Sequence, residues 1–286
     1  MEKPVDKALK KMLNDSLNEL ELALNSDVLT YTGPIYDGNE NEILDIVEEL
    51  ATDSGKKNCL AIVLTTTGGS AMAVERYVNI IRKHYEKVIF IIPDYAYSAG
   101  TIFSMSGDEI WMDYFSVLGP IDPQVKNKDG NFVPALGYLD KMNELIEKAK
   151  NRALTDAEFL ILKDFDLAEL RGYEQAKELT VSLLKNWLVK YKFKNWNEHE
   201  TSHTPITKED KIARAKEIAD KLGDNKIWKS HARPINIEAL EELKLKIEDY
   251  SDNVDLRKKI RGYYSLLRNF MNSFNVKMFI HTRKFI

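Results

Sequence analysis

The chain has 286 residues, of which 44% are hydrophobic and 30% are charged, and its formal net charge is −4. A chain of this length and composition can bury a full-sized hydrophobic core, which excludes a disordered or fibrous protein. The slight acidic excess argues against a dedicated nucleic-acid binder. The single cysteine, Cys59, excludes an intrachain disulfide and argues against a structural zinc site.

No stretch of the sequence approaches the roughly 18 consecutive apolar residues that a transmembrane helix needs. The first residues, MEKPVDKALKKMLNDSLNEL, are charged throughout and lack the apolar centre of a signal peptide. The sequence therefore predicts a cytoplasmic protein.

The first predicted element is a helix from Val5 to Leu24, where apolar residues recur at helical spacing. Such a helix is suited to packing or to contact between subunits of an oligomer. Asp27 to Tyr31 is a candidate strand, and Ile43 to Leu50 is a predicted helix that follows a loop rich in glycine.

Two continuous apolar runs, Leu60 to Leu64 and Val88 to Ile92, are typical of strands buried on both faces, as in a parallel sheet. The segment between them, Ser70 to Tyr85, has apolar residues at helical spacing. A strand, helix, strand unit with a right-handed crossover is therefore expected. A short helix after Ser98 and a third strand over Glu109 to Met112 continue the alternation, so the sequence predicts an α/β fold.

Beyond a predicted turn at Asn127 to Asn131, the chain consists of long amphipathic, charge-rich stretches that predict helices. These stretches cover Leu136 to Lys150, Asp156 to Asp164, Leu167 to Tyr191, Lys208 to Leu222 and Asn236 to Leu243, with a further helix in the tail. We expect an N-terminal helix over residues 1–26 and an α/β domain over residues 27–247. The domain carries a helical insertion at about 137–222, and a C-terminal helical tail spans residues 248–286.

Gly68 and Gly69 follow the first buried strand, within Thr-Thr-Thr-Gly-Gly-Ser. Ligand sites in open α/β sheets collect at the carboxyl ends of the strands. Two glycines leave backbone N–H groups free at a helix N-terminus, where they can hold an anion or a developing oxyanion. A tight turn without a ligand explains the pair equally well. Neither phosphate-binding fingerprint, GxxxxGK[ST] or GxGxxG, is present.

Ser98 stands in the same position after the second buried strand, among small neighbouring residues that let a substrate approach. A serine placed there can act as a nucleophile, or it can cap the helix that follows. Because parallel strands end at the same edge of a sheet, Ser98 should lie close to Gly68 and Gly69. Backbone donors that face a hydroxyl are the minimal constellation for acyl transfer.

The stretch TTTGGSAMAVERYVNIIR, followed by YSAGTIFSMSGDEIWM, resembles the pattern shared by Clp protease subunits and signal peptide peptidase A, in the Clp protease/crotonase superfamily. The later segments LGPIDPQV and WKSHARPI are most similar to the serine dehydrogenase proteinase (SDH) branch. The resemblance covers roughly Leu29 to Ile247 in the order of elements. It implies a serine peptidase that hydrolyses peptide bonds in a peptide or protein substrate and assembles as a homo-oligomer. We expect no cofactor and no metal.

By that resemblance Ser98 is the nucleophile, and the amides of Gly68 or Gly69, with that of Ala99, form the oxyanion hole. An extended substrate would add as a strand beside the Gly-Gly loop. The sequence departs from the Clp pattern at the base, because Gly119 to Gln124 contains no histidine where Clp subunits carry one.

Signal peptide peptidase relatives use a lysine further along the chain, at a spacing that makes Lys141 and Lys148 the candidates. A lysine acts as a base only when burial lowers its pKa by several units. Lys141 lies among apolar residues and could be desolvated, whereas Lys148 is predicted to face solvent. His231 is the alternative base, since imidazole exchanges protons near neutral pH. Asp122 could orient the base or bind substrate, or could belong to a proline turn.

Other interpretations stay open. A crotonase-like acyl-CoA hydratase or isomerase would use the same amides to stabilise an enolate, although the acidic residues expected after Gly69 are missing. A catalytically inactive member of the fold would serve as an oligomeric interaction module. The helical insertion could be a lid, an oligomer arm or a membrane-surface contact. His199 and His203 have the spacing of a zinc pair, but the polar loop around them offers no third ligand.

Overall fold

The computed structural model describes residues 4–126, 132–199 and 203–285, so the turn predicted at Asn127 to Asn131 lies outside the described residues. The strands in the described ranges are β1 (Asp27–Thr32), β2 (Cys59–Thr65), β3 (Lys87–Ile92), β4 (Tyr95–Ala96), β5 (Glu109–Met112), β6 (Val117–Leu118), β7 (Gln124–Lys126), β8 (Phe132–Pro134), β9 (Glu248–Asp249) and β10 (Phe279–His281). The α-helices are α1 (Pro4–Leu24), α2 (Glu40–Ala51), α3 (Ala71–His84), α4 (Ala99–Ser104), α5 (Ala135–Lys150), α6 (Asp156–Asp164), α7 (Leu167–Trp187), α8 (Lys208–Leu222), α9 (Asn225–Trp228), α10 (Ile237–Glu242) and α11 (Val254–Phe274).

A six-stranded sheet with the order β10-β1-β2-β3-β5-β9 forms the centre of the molecule. Strands β1, β2, β3, β5 and β9 run parallel to one another, and β10 pairs antiparallel with β1. Two shorter pairs, β4 with β6 and β7 with β8, lie outside this sheet. The predicted α/β fold, with its parallel sheet and flanking helices, is confirmed.

Strand β2 is apolar along its whole length because helices cover both faces of the sheet. Leu60, Ile62 and Leu64 point into the core that the sheet forms with α2, α3 and α4. Ala61 and Val63 point into a second core formed with α1 and α11. Since successive side chains of a strand alternate between faces, only a continuous apolar run can fill both cores.

The C-terminal segment forms part of the main sheet and its second core. Helix α11 packs beside α1, and its residues Tyr263 and Leu267 are fully buried. Strand β10 then lies along β1, with His281 opposite Thr30. The helical tail expected from the sequence therefore continues into an edge strand, and both pack onto the α/β domain.

Helices α5, α6 and α7 surround a small core of their own, with Ala135, Met142, Leu170 and Tyr173 at its centre. Helix α6 buries none of its residues. Helix α7 continues into a π turn over Leu188–Lys192. No helix in residues 4–126, 132–199 and 203–285 is both long and apolar enough to cross a bilayer.

Candidate active site

Gly68 lies directly against Ser98. A parallel bridge between Thr66 and Ala96 joins the end of β2 to the segment that leads into Ser98. A methyl group added at Gly68 would lie 2.7 Å from the Ser98 Cβ and 2.7 Å from the carbonyl oxygen of Tyr97. The glycine turn and the serine that the sequence placed at one sheet edge are therefore in contact.

The backbone N–H groups around Ser98 differ in whether they already donate a hydrogen bond within the protein. The N–H of Gly68 donates to Thr66 Oγ1 at 3.0 Å, within its own turn. The N–H groups of Gly69 and Ala99 have no acceptor among the residues that the structure describes. Of the amides predicted for an oxyanion hole, Gly69 and Ala99 are thus the pair available to a ligand.

Ile35 fixes the orientation of Gly69. Its N–H donates to the carbonyl oxygen of Gly68 at 2.9 Å, and its own carbonyl oxygen accepts the N–H of Ser70 at 3.0 Å. These two bonds turn the intervening Gly69 amide away from Ile35. Gly69 has φ +145, and a Cβ there would come within 2.0 Å of the Ile35 carbonyl oxygen, so only glycine fits.

Ser98 has a strained backbone, with φ 54 and ψ −119. Positive φ is uncommon for a residue with a side chain, and such conformations cost about 1–3 kcal/mol and gather at functional sites. The sharp turn from strand to helix resembles a nucleophile elbow, which exposes the serine hydroxyl. The Ser98 side chain makes no capping hydrogen bond to α4, so the capping role that the sequence allowed is not used.

A buried hydroxyl joins the helix behind Ser98 to the segment that leads to Asp122. Thr101 Oγ1 lies 2.8 Å from the carbonyl oxygens of both Ala96 and Gly119, and it accepts the N–H of Gly119 at 3.0 Å. Sequence reasoning missed Thr101. A threonine in a short buried helix carries no pattern that would reveal a tertiary contact.

Asp122 and His231 form a pair. The distance from His231 Nδ1 to Asp122 Oδ1 is 2.9 Å, and the side chains are 18% and 3% exposed, respectively. An antiparallel bridge between Leu118 and Ile235 brings the two segments together. Asp122 lies four residues after Leu118 and His231 lies four residues before Ile235, so the two side chains belong to the segments that this bridge joins.

Ser98 and Asp122 follow the ends of two neighbouring parallel strands, β4 and β6. Strands β4 and β6 are parallel, with Ala96 opposite Leu118. Ser98 is two residues beyond Ala96, and Asp122 is four residues beyond Leu118. Both therefore follow the carboxyl ends of neighbouring strands, where sites in α/β sheets form.

The two lysines named as candidate bases lie on α5 and are bound to carboxylates. Lys141 is 48% exposed, and its Nζ lies 3.0 Å from both oxygens of Glu144. Lys148 is 39% exposed and pairs with Glu158 and Glu144, and these hydrogen bonds raise its pKa. Neither lysine has the burial that would favour a neutral amine.

His203 is exposed and pairs with Glu198, with 2.6 Å between Nδ1 and Oε1. His199 instead meets the ring of Trp196 edge-on. Within residues 4–126, 132–199 and 203–285, no group of three or more His, Cys, Asp or Glu side chains could hold a metal ion.

Two solved structures of the 1510-N membrane-bound stomatin-specific protease are similar to this chain. The first, a serine-to-alanine mutant, has a TM-score of 0.47 and 14% identity and covers 81% of this chain and 82% of its own. The second, a lysine-to-alanine mutant in complex with a substrate peptide, has a TM-score of 0.48 and 15% identity and covers 81% and 78%.

Two uncharacterized proteins of Methanocaldococcus jannaschii are similar in sequence. One is 30% identical over 226 residues, which are 77% of this chain and 63% of the relative. The other is 26% identical over 242 residues, which are 81% of this chain and 72% of the relative. The chain therefore spans less than two thirds of the first relative's length.

The model of one protein family, described as ClpP-like SDH-type serine proteinase, matches residues 35–212. The matched range holds Gly68, Gly69, Ser98 and Asp122 and ends before His231. Because the match spans more than half of the chain, the protein belongs to the ClpP-like SDH-type serine proteinase family.

Proposed function

We propose that this chain is a serine peptidase that hydrolyses peptide bonds with Ser98 as its nucleophile. The observation that carries the proposal is the strained backbone of Ser98 beside the unused amides of Gly69 and Ala99. Strain of this kind persists only where the surroundings hold it in place, and it gathers at catalytic sites.

In the proposed reaction, Ser98 Oγ attacks the carbonyl carbon of the scissile peptide bond. Negative charge then develops on the carbonyl oxygen, and the N–H groups of Gly69 and Ala99 donate to it. Fixed donors aimed at a developing oxyanion need no reorganisation, and removal of one such donor typically costs a factor of about 10² to 10³ in kcat.

We assign the general base to His231, with Asp122 as its orienting group. A buried carboxylate bonded to one imidazole nitrogen holds the ring in the tautomer that leaves the other nitrogen free to accept a proton. In this assignment His231 takes the Ser98 proton, directly or through one water, and returns it to the leaving amine. The exposed ion pair of Lys141 with Glu144 makes that lysine the weaker candidate.

The proposed substrate is an extended peptide that lies beside the Gly68-Gly69 turn. Thr67 and Gly69 are exposed on this turn, and Ile35 occupies only its other side. Backbone groups along the exposed side can pair with a peptide as an added strand. Assembly as a homo-oligomer belongs to the same proposal. It is supported by the apolar surface of α6, where Phe159, Leu160 and Ile161 are exposed.

A fluorophosphonate probe tests this function, because it forms a covalent adduct only with an activated serine. We expect one adduct, located at Ser98 by peptide mass spectrometry and absent from Ser98→Ala. Ser182→Ala, an exposed serine on α7, is the matched control and should label normally. Hydrolysis of a peptide library should follow the same pattern. A folded wild-type protein that forms no adduct and cleaves no peptide would overturn the proposal.

A further inference from the structure

Arg257, Arg261 and Arg268 lie along one face of α11, because spacings of four and seven residues return to the same side of a helix. We call these three residues the arginine stripe. The helix carries five basic side chains and one acidic side chain, in a chain whose net charge is −4. The positive charge of this chain is therefore concentrated on α11.

The arginine stripe contacts the carboxyl ends of two neighbouring strands of the main sheet. Arg257 Nε donates to Asp113 Oδ2 at 2.8 Å, one residue after β5. Arg261 donates to the carbonyl oxygen of Pro93 at 2.7 Å, one residue after β3. Ser98 also follows the carboxyl ends of the strands, so the arginine stripe and the candidate active site lie at the same edge of the sheet.

Exposed aromatic rings lie beside the guanidinium groups of the stripe. The ring centroid of Tyr114 is 5.0 Å from Arg257 Cζ, and the ring centroid of Phe115 is 5.4 Å from Arg261 Cζ. Tyr114 is 70% exposed and Phe115 is 54% exposed, although both are large apolar rings. The surface therefore offers a ligand both positive charge and aromatic contact area.

Two arginines of the stripe carry a charge that no carboxylate neutralises. Arg257 is paired with the buried Asp113. Among the residues that the structure describes, neither Arg261 nor Arg268 has a carboxylate within ion-pair distance. Arg268 is exposed, and its Cζ lies 5.9 Å from the ring centroid of Tyr264. Since a guanidinium binds a carboxylate through two parallel hydrogen bonds, these two arginines are suited to an acidic ligand.

The arginine stripe is close enough to Ser98 for one peptide to contact both. The Tyr264 hydroxyl donates to Asp94 Oδ2 at 2.9 Å, so Asp94 lies beside the stripe. Asp94 is four residues before Ser98, which limits the distance between their Cα atoms to about 14 Å. Tyr95 and Tyr97, between them in the chain, are partly exposed and stack with ring centroids 5.4 Å apart. An extended peptide of about five residues spans this distance.

We propose that the arginine stripe is an exosite that binds an acidic segment of the peptide substrate, an inference that rests on the proposed peptidase function. Substrate carboxylates accept hydrogen bonds from Arg261 and Arg268, and apolar side chains next to them pack on the rings of Tyr114 and Phe115. A peptide is favoured over a nucleic acid or an anionic membrane, because the stripe shares an edge of the sheet with Ser98 and the net negative charge of the chain repels a polyanion.

Peptide binding to Ser98→Ala protein tests the exosite without any need for catalysis. The probe is an eight-residue peptide of glutamates and tyrosines among glycines, labelled with tetramethylrhodamine, and fluorescence anisotropy at physiological ionic strength measures its Kd. We expect this peptide to bind at least about tenfold more tightly than the same peptide with glutamines in place of the glutamates.

Variants of α11 locate the binding site. Arg268→Gln should weaken binding of the glutamate peptide about threefold, and Arg268→Gln combined with Arg261→Gln should weaken it about tenfold. Lys259→Gln is the matched control, because it removes the same charge from the side of α11 where Lys259 Nζ lies 3.9 Å from Glu19 on α1. Charges beyond about 8 Å are screened at this ionic strength, so Lys259→Gln should leave the Kd unchanged. Circular dichroism checks that each variant is folded.

Equal affinity for the glutamate and glutamine peptides, or equal effects of Arg268→Gln and Lys259→Gln, would overturn the exosite. Tighter binding of a thymidine oligonucleotide, or of vesicles of phosphatidylserine and phosphatidylcholine, that is lost in the double variant would overturn the assignment to a peptide. Peptides that the wild-type protein cleaves from a library should be enriched in acidic residues, and cleavage without that enrichment would overturn the role in substrate binding. Fluorophosphonate labelling of Ser98 reports on the peptidase separately, so a labelled protein that binds no acidic peptide lacks only the exosite.

Discussion

At the scale of single residues, Gly68 and Ser98 show how one site constrains two chain segments. Ser98 holds its strained conformation because the Thr66 to Ala96 bridge fixes the chain before it and α4 fixes the chain after it. Gly68 fills the remaining space without a side chain. The site therefore requires a residue without a side chain at position 68 as well as the hydroxyl of Ser98.

Gly68→Ala tests this dependence. The new methyl group would lie 2.7 Å from Ser98 Cβ, and φ +95 is unfavourable for alanine, so the turn must shift and carry the Gly69 amide with it. We expect a loss of at least about 10² in kcat/KM, as for the loss of an oxyanion donor. Gly172→Ala is the control, because nothing lies within 4 Å of its added methyl group on α7. It should keep activity and gain about 0.5–1 kcal/mol of stability. Equal activity in the two variants would contradict the predicted geometry.

Asp122→Asn tests the proposed base. Asparagine keeps the shape of the side chain, but its amide N–H₂ group can hold the imidazole in the wrong tautomer, with a loss of about 10² to 10⁴ in kcat. Fluorophosphonate labelling rates and peptide turnover measure the effect, and Lys141→Ala is the comparison. We expect Lys141→Ala to retain wild-type rates. The opposite result, with Asp122→Asn active and Lys141→Ala inactive, would show that Lys141 and not His231 is the general base.

At the scale of elements, the strands of the parallel core could be predicted because burial on both faces leaves a local signal. The runs Leu60 to Leu64 and Val88 to Ile92 fall within β2 and β3, and Glu109 to Met112 coincides with β5. Strand β10 carries no such signal, since three residues are too few for a periodicity. The π turn is similarly invisible, because it continues the helical pattern of α7 with one extra residue.

The parts of the site that the sequence left open are those formed by long-range contacts. Asp122 and His231 were each named as candidates, but their pairing depends on the bridge between Leu118 and Ile235, segments far apart in the chain. No local pattern encodes that long-range contact. The free amides of Gly69 and Ala99, by contrast, follow from a glycine turn and a helix start, which a sequence does reveal.

Thr101→Val tests the contact between α4 and the segment around Gly119. The variant keeps the shape of the threonine, but it leaves the Ala96 carbonyl and both polar groups of Gly119 without this partner in a buried position. We expect a loss of about 1–3 kcal/mol in the free energy of unfolding. Because the segment of Gly119 leads to Asp122, we also expect a fall in kcat with little change in KM. Thr101→Ser restores the hydroxyl and should recover both quantities, whereas a fully active, stable Thr101→Val would contradict the role of this contact.

At the scale of the whole molecule, the first helix and the last strand are connected by a series of buried hydrogen bonds between side chains. The distance from His281 Nε2, on β10, to Asn14 Oδ1 is 2.7 Å, and the distance from His281 Nδ1 to the Tyr263 hydroxyl oxygen is 2.8 Å. Tyr263 in turn lies 2.8 Å from Thr30 Oγ1. If Nε2 donates to the amide oxygen, Nδ1 accepts from Tyr263 and the imidazole is neutral. Helices α1 and α11 and strands β1 and β10 are thus joined by a histidine without a charge.

This arrangement makes stability depend on pH in a defined window. Burial lowers the pKa of His281 from 6.5 to about 4, so the unfolded chain binds a proton between these values while the folded chain does not. Stability must therefore fall as pH decreases from about 6.5 to 4, by roughly 3 kcal/mol in all and by about 1.2 kcal/mol per pH unit near pH 5. The carboxylate of Asp53, whose pKa is lowered to about 2 chiefly by its hydrogen bond with Lys284, loses its contribution only at lower pH.

Urea unfolding at a series of pH values between 4 and 7 measures this slope. His281→Gln removes the titrating group, so its free energy of unfolding should be lower at pH 7 but should change less with pH, by about 1.2 kcal/mol per unit near pH 5. His84→Gln, a partly exposed histidine on α3, is the comparison for the loss of an imidazole elsewhere in the fold. Equal slopes for wild type and His281→Gln would show that His281 takes up its proton in the folded protein as readily as in the unfolded chain. The contact between the two ends of the chain would then be insensitive to acid.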